Sequence, residues 1–322
     1  MTPTTTPHTT GIIGLGIMGG AMSANLLKAG HTVAGFDISP EAAARFTANG
    51  GRLLASAADV MRAAPVTITS LPTVKAFLAV YAELAQHAAQ DKQAGKILVD
   101  CCTMPIDIKE QALAGLAGSG VFMLDCPVSG TGAQAINKDL VVLGSGDQAA
   151  FEKARPVFEG MSRKQVYLGA FGKGSTMKFL ANHLVNIHNV AAAEAFTLAA
   201  KAGIDLHVVY ETLQDSAATS RMFQMRGPLM VADRYDDNPS AQIDMFMKDL
   251  DIIGKFAERL HCPVPLFSLA AQFYHAAQSQ GLGAQDTAAV CRTLEALAGV
   301  SRAKPTAATE VIEAPKPSRK DH

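Results

Sequence analysis

The sequence lacks tryptophan and is poor in aromatic residues, which make up 6% of its 322 residues. This scarcity argues against a protein that binds nucleic acid by stacking bases on aromatic side chains. Basic and acidic residues nearly balance, 28 against 29, so the chain has no excess positive charge for phosphate backbones or anionic lipids. We therefore expect neither nucleic acid nor a membrane among its partners.

Cysteines are few, and long apolar runs are missing. The five cysteines include no C-x-x-C pair, so we predict neither a metal site nor a disulfide framework, and we expect them to be buried thiols. No run of about 18 apolar residues could span a membrane. The first ten residues lack the basic and apolar regions of a signal peptide. These absences predict a cytoplasmic protein.

The two halves of the chain differ in pattern. In the first half, short apolar runs alternate with helical stretches, which is typical of βαβ units and a parallel sheet. The 28 residues between Gly174 and Gly203 contain neither glycine nor proline. They predict one helix, roughly 42 Å long, that joins two domains. Beyond it the pattern predicts helices, and we see no strand signal after residue 170.

A glycine-rich turn, GIIGLGIMGG at residues 11–20, follows the first predicted strand. In a G-x-G-x-x-G turn the first glycine permits the sharp bend, the second lets a pyrophosphate approach, and the third allows close helix packing. The following helix N-terminus offers N–H groups to phosphates. We favour a dinucleotide-binding turn over an ordinary turn of an α/β protein. Its predicted cofactor-binding residues are Gly14, Leu15, Gly16, Ile17, Met18 and Gly19.

Asp37 ends the second predicted strand, about 20 residues after this turn. A carboxylate there can accept hydrogen bonds from the adenosine ribose, whereas a 2′-phosphate would meet like charge. Ile38, Ser39 and Pro40 offer no compensating cation. The alternative is that Asp37 only caps the helix that begins near Pro40. We predict ribose binding, and NAD in preference to NADP as the cofactor.

A polar stripe lies along the long helix. Lys178, Asn182, Asn186 and Asn189 are spaced so that they share one face, whereas His183 lies off it. Such a stripe is either solvated or lines a site. Because this helix joins two domains, we expect the stripe to line the cleft between them.

Four stretches, in this order along the chain, resemble the β-hydroxyacid dehydrogenase family, which includes 3-hydroxyisobutyrate dehydrogenase, tartronate semialdehyde reductase and L-threonate dehydrogenase. The resemblance extends over about residues 11–297 and is specific because four motifs occur together. The stretches are GIIGLGIMGGAMSANLLKAGHTVAGFD, LDCPVSGTGAQA, GKGSTMKFLANHLV and MFMKDLDI.

The resemblance implies an α/β fold: a Rossmann-type N-terminal domain with a mostly parallel sheet, a long connecting helix and an all-α C-terminal domain. It also implies a site between the domains and a homodimer or homotetramer. We place a flexible N-terminus at residues 1–10, the NAD-binding domain at 11–172 and the interdomain helix at 173–202. The helical substrate and dimerisation domain follows at 203–300, and a proline-containing, disordered tail at 301–322.

The resemblance also implies roles for individual residues. Lys178 is the expected catalytic lysine and Asn182 its companion; both would contact the substrate. Ser129 and Gly130, with Thr131 beside them, would bind the substrate carboxylate. The remaining expected cofactor contacts are Leu71, Pro72 and Thr103, together with Lys248 at the nicotinamide.

The implied function is that of an NAD-dependent oxidoreductase acting on CH–OH groups. It would interconvert a small 3-hydroxy acid and its semialdehyde or keto form by hydride transfer, with Lys178 as general acid/base. Departures from the family pattern concern the substrate: Thr131 replaces a common glycine, Cys102 a serine and Arg221 a tryptophan. Arg221 either contacts a second polar end of the substrate or forms a surface ion pair.

Two alternatives stay open. The first is an imine reductase-like enzyme, although such enzymes normally lack the lysine. The second is a non-catalytic NAD(H)-sensing module of the same fold. The helical half is too short for a 6-phosphogluconate dehydrogenase, despite the 6-phosphogluconate dehydrogenase-like cofactor domain.

Overall fold

A computed structural model describes residues 9–91, 93–237, 239 and 241–302. The chain divides into two compact units, and the division falls between Phe179 and Leu180. Residues 1–8 of the predicted flexible N-terminus and 303–322 of the predicted tail lie outside the described residues. The prediction of a flexible segment up to residue 10 is wrong for Thr9 and Thr10, because they belong to the first strand of the sheet. No helix in the described part of the chain is long and apolar enough to cross a membrane.

The first unit contains all the named strands. Its six-stranded sheet has the order β3-β2-β1-β4-β5-β6 with every pairing parallel, which confirms the predicted Rossmann arrangement. In a separate three-stranded sheet, β8 pairs antiparallel with β7 and parallel with β9. The strands are β1 (Thr9–Ile13), β2 (Thr32–Phe36), β3 (Arg52–Leu53), β4 (Val66–Thr69), β5 (Ile97–Asp100), β6 (Phe122–Asp125), β7 (Val128–Ser129), β8 (Val141–Gly144) and β9 (Lys164–Tyr167).

Helices cover both faces of the six-stranded sheet. Neighbouring residues of a strand point to opposite faces, so Ile12 and Ile13 belong to two different apolar cores. Ile12 shares its core with Phe158, whereas Ile13 shares the other with Phe77. The helices are α1 (Ile17–Lys28), α2 (Pro40–Ala48), α3 (Ala57–Ala63), α4 (Val74–Asp91), α5 (Ile106–Gly115), α6 (Gly132–Ile136), α7 (Gln148–Met161) and the first turns of α8 (Lys173–Lys201).

The second unit is helical, as predicted. It begins within α8, whose observed length confirms the long helix expected from the absence of glycine and proline. A short 3₁₀ helix, Thr287–Ala289, precedes the last α-helix. Its other helices are α9 (Leu206–Leu213), α10 (Arg221–Ala232), α11 (Ile243–Arg259), α12 (Pro265–Ser279) and α13 (Val290–Ala298).

The polar stripe of α8 departs from the expectation that it lines a cleft. Asn186 and Asn189 are buried within the second unit, with exposures of 0% and 1%. Asn186 Nδ2 donates to the Phe267 carbonyl at 3.1 Å. Asn189 Nδ2 donates to the Tyr274 hydroxyl at 2.7 Å and to the Thr287 carbonyl at 2.8 Å. The prediction is wrong for these two residues, because their amides join α8 to other parts of the helical core.

Arg302 lies at the end of the described chain, inside the segment predicted as a tail. Its guanidinium donates to the carbonyl oxygens of Met230 at 2.5 Å and Val231 at 3.2 Å, and pairs with Glu295. The guanidinium therefore binds carbonyls at the end of α10 and a carboxylate of α13. Residues up to 302 thus belong to the folded second unit.

Candidate active site

The glycine-rich turn lies between β1 and α1. A Cβ on Gly14, whose φ is +91°, would lie 2.2 Å from the Ser70 carbonyl oxygen. A Cβ on Gly19 would lie 1.9 Å from the Gly14 carbonyl oxygen. Gly16, in contrast, has no atom within 4 Å of its Cβ position and forms the N-cap of α1 without a side-chain cap. The turn is therefore closed on its protein side and open at Gly16, where backbone N–H groups can meet a pyrophosphate.

The other predicted residues of the turn face different surroundings. Leu15 is buried in the core of the sheet, and Met18 packs against that core. Ile17 is 65% exposed. The Leu15 side chain therefore cannot face a ligand, whereas the Leu15 backbone can.

Asp37 follows β2 and joins the turn to the next helix. Its Oδ2 accepts a hydrogen bond from the Leu15 N–H at 2.5 Å, and its Oδ1 accepts one from the Ser39 N–H at 2.8 Å. The cap of α2 is Ser39, whose Oγ accepts from the Ala42 N–H at 3.2 Å. The alternative in which Asp37 is itself the helix cap is thus wrong.

Strands β1 and β4 are neighbours at the centre of the sheet. From β1 the chain continues to β2 toward one edge of the sheet, and from β4 it continues to β5 toward the other edge. In such sheets ligands bind in the crevice at the carboxyl ends of these strands. Leu71 and Pro72 follow β4, and Thr103 follows β5. The Leu71 N–H donates to Cys102 Sγ at 3.1 Å, so Cys102 holds the segment after β4. Leu71, Pro72 and Thr103, which we expect along the cofactor, thus follow the carboxyl ends of β4 and β5.

The loop 129–131 connects β7 to α6. Ser129 ends β7, Gly130 follows it, and Thr131 is the N-cap of α6. Thr131 is engaged in a capping box: its Oγ1 accepts from the Gln134 N–H at 3.4 Å and its N–H donates to Gln134 Oε1 at 3.0 Å. The loop therefore has a fixed entry into α6.

Helix α6 is hydrogen-bonded to α1, the helix that follows the glycine-rich turn. Asn25 Nδ2 of α1 donates to the Ala135 carbonyl of α6 at 2.7 Å, and both residues are buried. The predicted substrate loop and the glycine-rich turn are thus parts of one packed body. Lys178 belongs to the same unit, one turn into α8.

Asn182 and Lys248 belong to the second unit. Asn182 Nδ2 donates to Asp249 Oδ2 at 2.8 Å, and the Lys248 ammonium lies 3.7 Å from Asp249 Oδ1. Asp249 thus links the two predicted site residues of this unit. The contact of Asp249 with Asn182 is not predicted from the sequence, although Asp249 lies in the MFMKDLDI stretch. Its position next to Lys248 is the one signal that could have identified it.

Three further expectations concern metal sites, cysteine thiols and Arg221. Within the described residues no group of three or more His, Cys, Asp or Glu side chains could hold a metal ion. The cysteines are free, and four are buried as expected, but Cys262 is exposed. Arg221 is exposed at the start of α10 and donates to Gln224 Oε1 at 3.4 Å.

Comparison with known proteins places the chain among dehydrogenases. Residues 9–169 match the NAD binding domain of 6-phosphogluconate dehydrogenase, and residues 172–294 match the domain described as NAD-binding of NADP-dependent 3-hydroxyisobutyrate dehydrogenase. The L-threonate dehydrogenase of Escherichia coli (strain K12) is 35% identical over 287 residues, which cover 88% of this chain and 93% of that protein. The chain belongs to the β-hydroxyacid dehydrogenase family.

Solved structures agree with this family. The 3-hydroxyisobutyrate dehydrogenase of Mycobacterium tuberculosis, solved with L-serine, has a TM-score of 0.80 at 29% identity and covers 90% of this chain and 99% of its own. That of Salmonella typhimurium has a TM-score of 0.78 at 31% identity, with 88% and 99% covered. As a β-hydroxyacid dehydrogenase, the chain is an NAD(P)-binding oxidoreductase that acts on CH–OH groups.

The residues of the first unit fit a nicotinamide dinucleotide. The space at Gly16 is open and lies at the N-terminus of α1, where free N–H groups favour phosphate. The Asp37 carboxylate lies at the end of β2, where a Rossmann sheet places the adenosine ribose. Such a cofactor, when bound to a β-hydroxyacid dehydrogenase, supplies or accepts the hydride.

Proposed function

We propose that the chain is an NAD-dependent dehydrogenase that interconverts a small 3-hydroxy acid and its semialdehyde or keto form. The observation that carries the proposal is the position of the glycine-rich turn at the carboxyl end of β1, beside the end of β4. Catalysis requires a group that handles the hydroxyl proton, and Lys178 is our candidate because it stands at the family's lysine position on α8.

The proposed chemistry assigns each proton and charge to a residue. In oxidation the neutral Lys178 amine takes the hydroxyl proton while the carbon loses a hydride. In reduction the Lys178 ammonium stabilises the negative charge that develops on the carbonyl oxygen and then donates its proton. Asn182 orients the hydroxyl or the lysine. Ser129, Gly130 and Thr131 form the loop that we propose for the substrate carboxylate, and Lys248 borders the nicotinamide.

We propose NAD rather than NADP as the cofactor, although the description of one matching domain refers to NADP-dependent enzymes. Asp37 presents a carboxylate at the ribose position. A second carboxylate is close in the chain: Glu41 Oε2 accepts from the Ser39 hydroxyl at 2.7 Å, and this bond lowers the pKa of Glu41. A 2′-phosphate would therefore meet two negative side chains.

The relatives point to the substrate class. Proteins named L-threonate dehydrogenase and 3-hydroxyisobutyrate dehydrogenase both match the chain over most of its length. We propose a short 3-hydroxy acid, with L-threonate and 3-hydroxyisobutyrate as the first candidates. We also propose a homodimer or homotetramer, and a cytoplasmic location stays a prediction from the sequence.

The experiment is NADH formation with a panel of hydroxy acids: L-threonate, 3-hydroxyisobutyrate, glycerate, 4-hydroxybutyrate and a sulfonated analogue. Turnover of one 3-hydroxy acid, lost in Lys178→Ala, is the expected result. Tight NADH binding without turnover of any member would instead favour the sensing module. Reduction of a cyclic imine, with no oxidation of hydroxy acids, would favour the imine reductase.

A further inference from the structure

A buried charge network lies beneath the carboxyl ends of β5 and β6. The Lys109 ammonium of α5 contacts Asp100 Oδ2 at 2.8 Å and Asp125 Oδ1 at 2.7 Å, and all three side chains have 0% exposure. Lys109 Nζ also donates to the Cys102 carbonyl at 2.7 Å. Burial alone would lower the pKa of Lys109, but the two carboxylates outweigh it and raise that pKa, so the lysine is charged.

The network ends on the first turn of α8. Asp125 Oδ2 accepts from the Ser175 N–H at 2.7 Å, and Asp125 Oδ1 accepts from the Ser175 hydroxyl at 2.7 Å. The Gly174 N–H donates to Ser145 Oγ at 2.9 Å, and that hydroxyl donates to Asp125 Oδ2 at 3.1 Å. The Ser175 N–H of the first turn is thus capped by a carboxylate 50 residues away in sequence, and the Gly174 N–H by a hydroxyl 29 residues away.

The same turn is packed tightly against the strand ends. A Cβ on Gly174 would lie 2.3 Å from the Leu143 carbonyl oxygen and 2.5 Å from the Asp125 carbonyl oxygen. Gly174, the second glycine of the GKGSTMK stretch, is therefore required because the backbone approaches the strand ends too closely for a side chain. Lys178 lies three residues, or nearly one turn, beyond Ser175 on the same rigid helix.

We propose that Asp125, held by Lys109, is a positioning residue that sets the place of the Lys178 ammonium by capping α8. The inference rests on the proposed function, because it takes Lys178 as the general acid/base. A carboxylate that accepts two hydrogen bonds from one residue of the first turn fixes both the position of a helix along its axis and its rotation about that axis. The side chain of a helical residue leans toward the N-terminus, so the position of Lys178 follows from this turn.

A buried ion pair suits this task better than a lone carboxylate. A buried carboxylate without a partner would carry an uncompensated charge, which is unfavourable and tends to draw in water, and its acceptor geometry would then vary. Lys109 binds one oxygen of Asp125 and also Asp100, which itself accepts from the Cys102 N–H at 3.0 Å. The carboxylate is therefore held by Lys109 of α5, while its contacts with Ser175 hold α8.

The first test compares Asp125→Asn and Ser175→Ala with the wild type in the substrate assay. Misplacement of a catalytic group by about 1 Å costs on the order of 100-fold in rate. We expect kcat to fall roughly 10- to 100-fold in Asp125→Asn and about 3- to 10-fold in Ser175→Ala. The Kd for NADH should stay within about threefold, because the glycine-rich turn is unchanged. Should Asp125→Asn fail to fold, Ser175→Ala carries the test, since it removes one hydrogen bond and leaves no buried charge unpaired.

A matched control is Asp147→Ala. Asp147 Oδ1 caps α7 by accepting from the Ala150 N–H at 2.7 Å, and α7 carries none of the proposed site residues. This variant removes a helix-capping carboxylate from the same unit and should leave kcat within about twofold. An equal loss of kcat in Asp147→Ala and Asp125→Asn would show that any lost cap lowers activity, and would overturn the proposal.

The deciding measurement is made in the Lys178→Ala background at high enzyme concentration. If Asp125 acts through Lys178, adding Asp125→Asn or Ser175→Ala should change the residual kcat by less than about threefold. The same loss in both backgrounds would overturn the proposal, and so would wild-type kcat in both single variants. Wild-type kcat in Lys178→Ala alone would instead overturn the proposed role of Lys178 as general acid/base, and this inference with it.

Discussion

The Asp37 carboxylate accepts a hydrogen bond from the Leu15 N–H at 2.5 Å. This bond ties the residue after β2 to the glycine-rich turn after β1, so Asp37 shapes the turn in addition to the ribose contact that we propose for it. Charged acceptors form the stronger hydrogen bonds, which suits a residue with this double task. Substitution of Asp37 should therefore affect both cofactor choice and cofactor affinity.

The wild type should prefer NAD over NADP by on the order of 100-fold in kcat/KM. The 2′-phosphate of NADP would be repelled by the Asp37 carboxylate, and NADP would also lack the hydrogen bonds that the ribose hydroxyls of NAD donate to that carboxylate. Asp37→Ser combined with Ile38→Arg should narrow or reverse this preference. Ile38 is 89% exposed, so Ile38→Arg alone is a suitable control for folding. Equal kcat/KM values for NAD and NADP in the wild type would contradict the role of Asp37 but not the family.

Lys178→Ala should lower kcat by roughly 10²- to 10⁴-fold, the usual effect of losing a positioned general acid/base group. The Kd for NADH should change little, because we place Lys178 at the substrate. Single-turnover measurement separates the chemical step from product release. A chemical step within threefold of the wild type would rule out the assignment.

Gly16→Ala and Gly14→Ala should separate cofactor binding from folding. At Gly16 the Cβ position is open and φ is −62°, so Ala should leave the melting temperature nearly unchanged. The added methyl would occupy the pyrophosphate position and raise the Kd for NADH by about tenfold or more.

Gly14→Ala should behave in the opposite way and lower the melting temperature by roughly 5 °C or more, since it combines a positive φ with a collision at Ser70. Thermal melting without cofactor, followed by NADH titration, checks both variants. A Gly16→Ala protein that binds NADH normally would contradict the predicted phosphate position.

Truncation after Arg302 and truncation after Val300 should differ. The first retains the guanidinium that binds the Met230 and Val231 carbonyls and Glu295, whereas the second removes it. Loss of these charged hydrogen bonds should cost about 1–3 kcal/mol and lower the melting temperature by roughly 2–10 °C. Truncation after Arg302 should leave both kcat and melting temperature close to those of the full chain, as composition predicts for residues 303–322. Identical melting curves of the two truncations would contradict the anchoring role of Arg302.

Much of the fold could be predicted from local sequence patterns. The glycine spacing, the apolar runs and the uninterrupted α8 stretch each reflect short-range rules of strand, turn and helix formation. Strand β3, with both residues exposed, and strand β9 carry too little apolar pattern for detection. The Asn186 and Asn189 stripe was misinterpreted because helical spacing shows which residues share a face, but not what that face contacts.

The sequence by itself determined the dinucleotide turn, the alternation of strands and helices, and, through four ordered motifs, the family. Only the tertiary structure decided which partners hold these segments in place. Asp125 caps α8 from 50 residues away, and Asp249 binds Asn182 from 67 residues away. No periodicity or propensity encodes such pairs, because their energy arises only when folding brings distant polar groups together in a buried place where each must find a partner.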